Sequence, residues 1–69
     1  MHMTTVVSDN VRAVGYDYAT QTLRVQFWSG GVYEYYGVPP HLYEAFLLPH
    51  PWRRIGRLIR AHRYSRVAA

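Results

Sequence analysis

The chain has 69 residues, eight of them arginine, no lysine and no cysteine, against four acids, for a net charge of +4. A chain this short buries only about 60% of the surface its unfolded form exposes, so one small domain is the ceiling; 49% hydrophobic residues, with two Trp, seven Tyr and two Phe, argue against intrinsic disorder. Without cysteine there is no disulfide, no thiolate nucleophile and no Cys-based zinc or iron–sulfur site, and no apolar run approaches the roughly 20 residues of a membrane-spanning helix. With no secretion signal at the start, the expected location is cytoplasmic.

Met1-His2-Met3 reads as an appended leader ahead of a start at Met3, and a single domain is expected over residues 4–67. Val11–Tyr16 is β-favouring but its faces are ambiguous; Asp17–Thr22 is a polar turn suited to a hairpin loop. Leu23–Trp28 alternates cleanly, with Leu23, Val25 and Phe27 on a core face and Arg24, Gln26 and Trp28 on the other. Ser29-Gly30-Gly31 is expected to be a three-residue loop with Gly31 in the left-handed conformation. That loop pairs Phe27 with Tyr33, Gln26 with Glu34, Val25 with Tyr35 and Arg24 with Tyr36, whereas a two-residue loop would bury Glu34 among apolar partners.

Pro39 and Pro40 suit the first turn of a helix that places Leu42, Ala45 and Phe46 on one side and ends at Pro49. The breaker cluster Pro49-His50-Pro51 is a joint. A second helix is expected from about Trp52 to Arg63, with Trp52, Ile55, Leu58, Ile59 and His62 on one stripe and Arg53, Arg57 and Arg60 opposite. Gly56 weakens it by roughly 0.5–1 kcal/mol relative to Ala. The predicted fold class is α+β: a three-stranded antiparallel meander with two short C-terminal helices packed on one face.

The run from Asn10 to Asp17, then Thr20 to Leu23, then Ser29-Gly30-Gly31-Val32-Tyr33-Glu34-Tyr35-Tyr36-Gly37-Val38-Pro39 and Tyr43-Glu44, resembles the KTSC domain. The family's central Tyr-x-Tyr motif falls on Tyr33 and Tyr35, and the likeness runs from about Ser8 to Val67. The family is named after a domain at the C-terminus of some lysyl-tRNA synthetases and also forms small stand-alone proteins. The resemblance implies, for function, only a suggested capacity to bind RNA. The departure is at Pro49–Gly56, where members usually carry a Ser/Lys/Gly loop, an aromatic pair and an Asn, so any role of that Asn is not carried over.

Charge points the same way. All four acids precede Pro51, so residues 1–52 carry −2 and residues 53–69 carry +6. Arg53, Arg54, Arg57, Arg60, Arg63 and Arg66 form a basic C-terminal block suited to a polyanion, and Arg24, Trp28 and Tyr36, on the outer sheet face, suit base stacking. Tyr33 and Tyr35 face the core and are read as structural. His41, His50 and His62 lack the spacing of a zinc pair, and Ser8, Ser29 and Ser65 lack a nucleophile-elbow context. The expectation is a non-enzymatic module without metal or cofactor that binds RNA or single-stranded nucleic acid. The alternative is protein–protein interaction or self-association as a homo-oligomer; a membrane-surface role for the basic helix ranks below both.

Overall fold

A computed structural model describes residues 1–49 and 51–68, so His50 and its part in the Pro49–Pro51 joint lie outside the described residues. The architecture is α+β as expected, but the antiparallel sheet has five strands rather than three. In chain order these are β1 (Thr4–Thr5), β2 (Val11–Asp17), β3 (Thr22–Phe27), β4 (Val32–Tyr35), α1 (Pro40–Ala45), α2 (Pro51–Arg60) and β5 (Tyr64–Ala68), and the sheet order follows the chain from β1 to β5. The two added strands are the edges. β1 is two residues long, too short for a periodic signal, and all of β5 is exposed, so neither has an apolar alternation to read. What makes β5 a strand is backbone pairing to the free edge of β4.

The ambiguous faces of β2 have a physical cause. Val11 pairs with Phe27 and Ala13 with Gln26, so Arg12 is an extra residue in a bulge. The bulge shifts the period by one and puts Val11 and Val14, three apart, on the same buried face. The other face of β2, at Ala13 and Gly15, is crossed by the N-terminal residues: a Cβ on Gly15 would lie 2.7 Å from Met3 Sδ and 2.8 Å from the His2 carbonyl.

The β3–β4 turn has the expected length but sits one residue earlier. Phe27 N–H donates to the Gly31 carbonyl at 2.9 Å and Gly30 N–H to the Phe27 carbonyl at 3.0 Å, so the loop is Trp28-Ser29-Gly30, and Gly30, not Gly31, takes the positive φ of 111°. The register therefore slips by two: Leu23 faces Tyr35, Val25 faces Tyr33 and Arg24 faces Glu34. A slip of two preserves the faces, so Tyr33 and Tyr35 remain on the core side. The gain is electrostatic, because Arg24 now stands opposite the carboxylate it bonds, with its Nη2 at 2.5 Å from Glu34 Oε2.

Both helices cover the same sheet face. Leu42 and Phe46 from α1 and its end, and Ile55 and Ile59 from α2, join Val11, Val14, Leu23, Val25, Tyr35 and Val38 in one core. α1 stops at Ala45, before Pro49, because Phe46, Leu47 and Leu48 N–H turn to carbonyls three residues back, tightening the last turn and leaving Leu47 and Leu48 exposed. α2 is shorter than predicted, ending at Arg60, and its buried stripe is Trp52, Ile55, Gly56 and Ile59; Leu58 is 53% exposed and His62 lies beyond the helix. Gly56 explains the difference. It is the sheet-facing residue under the Trp52 indole, where a Cβ would come within 3.0 Å of the ring, so the stripe turns away from Leu58.

Candidate nucleic-acid interface

The six C-terminal arginines are all exposed, but they divide into three settings. On α2, Arg53, Arg54, Arg57 and Arg60 recur at helical spacing and, with Trp52 and Leu58, line a cleft of about 410 Å³. Arg63 lies in the connection to β5, where its carbonyl accepts the Tyr36 N–H at 2.8 Å. Arg66 is on β5 rather than in a helical tail, paired across from Tyr33, with its guanidinium carbon 5.9 Å from the Tyr33 ring centre.

Their partners decide how free they are. Arg53 donates to Asp9 at 2.7 Å, but both side chains are about two-thirds exposed (66% and 68%), so the pair is weak and screened. Arg54 donates to the carbonyls of Ala45 and Pro49 at 3.2 and 3.3 Å, which orients the group without neutralising it. Arg60 lies 5.9 Å from the Trp52 ring centre, a cation–π distance that holds the guanidinium while leaving its charge in place. Among the described residues, the two ion pairs are Arg53–Asp9 and Arg24–Glu34, so one of the six C-terminal arginines has a carboxylate partner.

The proposed stacking platform on the outer sheet face does not assemble. Arg24 is bonded to Glu34. Trp28 is a loop residue whose Nε1 donates to the Ser8 carbonyl at 3.1 Å and whose ring is covered by Arg12 at 5.5 Å. Tyr36 shares a 2.5 Å hydrogen bond with Ser65 of β5. The register slip and the unforeseen fifth strand give each of the three a partner of its own.

A different aromatic surface takes its place on the other side of the sheet. Phe27, Tyr33, Tyr35, Trp52 and Tyr64, with Arg60, line a cavity of about 360 Å³ where α2 meets β3, β4 and β5. The rings touch: Phe27 and Trp52 are 5.0 Å apart edge-to-face, and Tyr35 and Tyr64 are 5.7 Å apart and tilted. Burial pushes the Tyr35 hydroxyl above its ordinary range, neighbouring Tyr33 and Tyr64 push it further, and Arg60 opposes them, so the phenol stays neutral and able to donate. Sequence reasoning placed Tyr33 and Tyr35 on this side but missed the cavity, because its far wall is Tyr64 and that wall exists only once β5 is paired.

The KTSC domain family matches residues 7–48, stopping before the arginine-rich helix. A protein described as uncharacterized from Stutzerimonas stutzeri is 45% identical over 40 residues, covering 58% of this chain and 56% of that protein, so the chain matches little more than half of it. A protein of Tsukamurella paurometabola is 36% identical over 66 residues, covering 96% of this chain and 98% of its own length. The crystal structure of a KTSC domain protein from Yersinia pestis superposes with a TM-score of 0.87 at 25% identity, covering 97% of both chains. The family's match over residues 7–48, more than half of the chain, places this chain in the KTSC domain family.

Proposed function

We propose that this protein is a small non-enzymatic module that binds RNA or another single-stranded nucleic acid, with the arginines of α2 holding backbone phosphates. The observation that carries the reading is the exposed cleft of Arg53, Arg54, Arg57 and Arg60, which meets one carboxylate among the described residues. Guanidinium groups suit phosphate because their donors form a rigid fork and are weakly hydrated. Arg63 and Arg66 extend the positive surface toward β5.

Fluorescence anisotropy with a labelled single-stranded oligouridylate across a salt series tests this. Binding at about micromolar Kd at low salt is expected, with log K falling by about 0.7 per phosphate neutralised for each tenfold rise in salt. No binding under those conditions, or unchanged affinity when Arg57 and Arg60 are both replaced by Ala, rejects the reading.

Self-association is the second reading, favoured by β5: it is an edge strand, all of it exposed, with Tyr64 and Val67 59% and 45% accessible. Sedimentation showing a monomer at high concentration removes it.

A further inference from the structure

We propose that the cavity between α2 and strands β3 to β5 receives one unstacked nucleobase, with the adjoining phosphate on Arg60. The inference rests on the single-strand reading above and adds to it a base site that shares Trp52 and Arg60 with the arginine cleft.

Three features of the cavity define its occupant. Among the described residues its lining is five aromatic rings and one guanidinium, with no carboxylate, so it favours a planar, anionic molecule and disfavours a cation. Its volume of about 360 Å³ is at the small end of ligand pockets, which run from roughly 300 to 1,000 Å³, and suits one ring system rather than a stacked pair. The tyrosine hydroxyls supply polar contacts for a base edge. Among the described residues, the tyrosine hydroxyls bonded within the chain are those of Tyr16 and Tyr36, which leaves Tyr33, Tyr35 and Tyr64 to face water or a bound molecule.

The rings are already in contact, with Tyr33 and Tyr35 6.5 Å apart and Tyr33 and Tyr64 5.9 Å apart, so a base lies upon this wall rather than between two of its members. An aromatic side chain of a partner protein would fill the apolar part equally well but would leave Arg60 without an anion. Continuity favours the nucleotide further. Trp52 and Arg60 line both this cavity and the cleft formed by Arg53, Arg54 and Arg57, so a strand whose phosphates follow α2 passes the mouth of the cavity at Arg60. One base turned inward there meets the tyrosines while its neighbours stay in solvent.

The test compares oligouridylate with a sugar–phosphate strand of equal length and no bases. Stacking on an aromatic residue contributes enough for the base-free strand to bind roughly five- to a hundredfold more weakly to the unmodified protein. Tyr64→Leu keeps an apolar group on an exposed strand but removes the flat face, so it lowers affinity for oligouridylate within the same range and leaves the base-free strand unaffected. In a Trp28→Phe background, where Trp52 is the remaining indole, uridine monophosphate quenches the emission and inorganic phosphate does not. Equal affinity for both strands, with no response to Tyr64→Leu, overturns the base site while leaving the phosphate reading intact. Quenching by the free nucleotide without any affinity for oligouridylate overturns the single-strand reading and keeps the cavity as a mononucleotide site. No response to any probe removes both.

Discussion

Of the seven largest fully buried side chains among the described residues, Val11, Val14, Leu23, Val25, Val38 and Phe46 precede residue 47, and Ile59 follows it. Charge is distributed the opposite way: all four acids lie before Pro51, and six of the eight arginines lie at or after Arg53. The first region is a bulged meander closed by α1, and side-chain ties such as Arg24–Glu34, the Tyr16 hydroxyl to the Val38 carbonyl and the Trp28 indole to the Ser8 carbonyl are local to it. The second region is held by Trp52, Ile55 and Ile59 and by the backbone pairing of β5, and offers guanidinium groups to solvent. The contrast teaches a division of labour in which stability is concentrated in the meander and charge in a segment attached to it by few side chains.

The largest effect that tests this division is in the core. Phe46→Ala empties a fully buried position and is expected to cost about 3–5 kcal/mol, much of the stability available to so small a domain. Leu48→Ala, two residues on and 56% exposed, is expected to stay within about 0.5 kcal/mol. Urea unfolding followed by circular dichroism measures both, and equal effects would mean that α1 does not close the meander as described.

A binding comparison breaks the division from the other side. If Arg57 and Arg60 each hold a phosphate, replacing both with Ala lowers the slope of log K against log salt by about 1.4, while Arg24→Ala leaves it unchanged because that side chain is committed to Glu34. A salt titration with oligouridylate reads the difference, and an Arg24 variant that flattens the slope as much would dissolve the distinction between the regions.

The meander was legible in the sequence and the periphery was not, for reasons that can be named. Leu23, Val25 and Phe27 alternate, so their face was clear, and Tyr33 and Tyr35 stayed on it although the turn moved by one residue, because the resulting slip was even. The outer partners did depend on register, and so the expected pairing of Arg24 with Tyr36 gives way to Arg24 with Glu34. At the C-terminus the helical pattern ran on through Arg63 because nothing local opposes it; β5 is a strand because β4 has an open edge, which is a tertiary cause. The arginines were visible by composition alone. Their aromatic neighbour, the cavity completed by Tyr64, was hidden by the same missing strand, and Gly56, read as a weakness in the helix, is the space that seats Trp52.

Alkaline pH sharpens the comparison at the seam. The Tyr35 phenol is held above its ordinary value of 10.0, first by burial and then by Tyr33 and Tyr64. The folded state therefore keeps this proton more tightly than the unfolded state does, and the contribution is complete below pH 10.0 and lost as pH rises through the folded value. Unfolding free energy should fall with pH in that alkaline window and fall less steeply in Tyr35→Phe. Tyr16 is shifted in the same direction, again chiefly by burial, so part of the slope remains in that variant. Thermal melts between neutral and alkaline pH measure it, and identical slopes would place Tyr35 in water rather than in the cavity wall.

The smallest effect concerns the ion pair that, among the described residues, joins the two regions. Arg53 and Asp9 meet at 2.7 Å, but with both side chains about two-thirds exposed the pair contributes at most about 1 kcal/mol, so Asp9→Asn should scarcely move the urea midpoint. Its effect on binding has the opposite sign. Asp9 competes with phosphate for the Arg53 guanidinium, and removing its charge frees a sixth C-terminal arginine from its carboxylate, so oligouridylate should bind more tightly and the salt slope should steepen by about 0.7. A variant that loses stability and gains no affinity would mean that Asp9 ties α2 to the meander and that Arg53 takes no part in holding the strand.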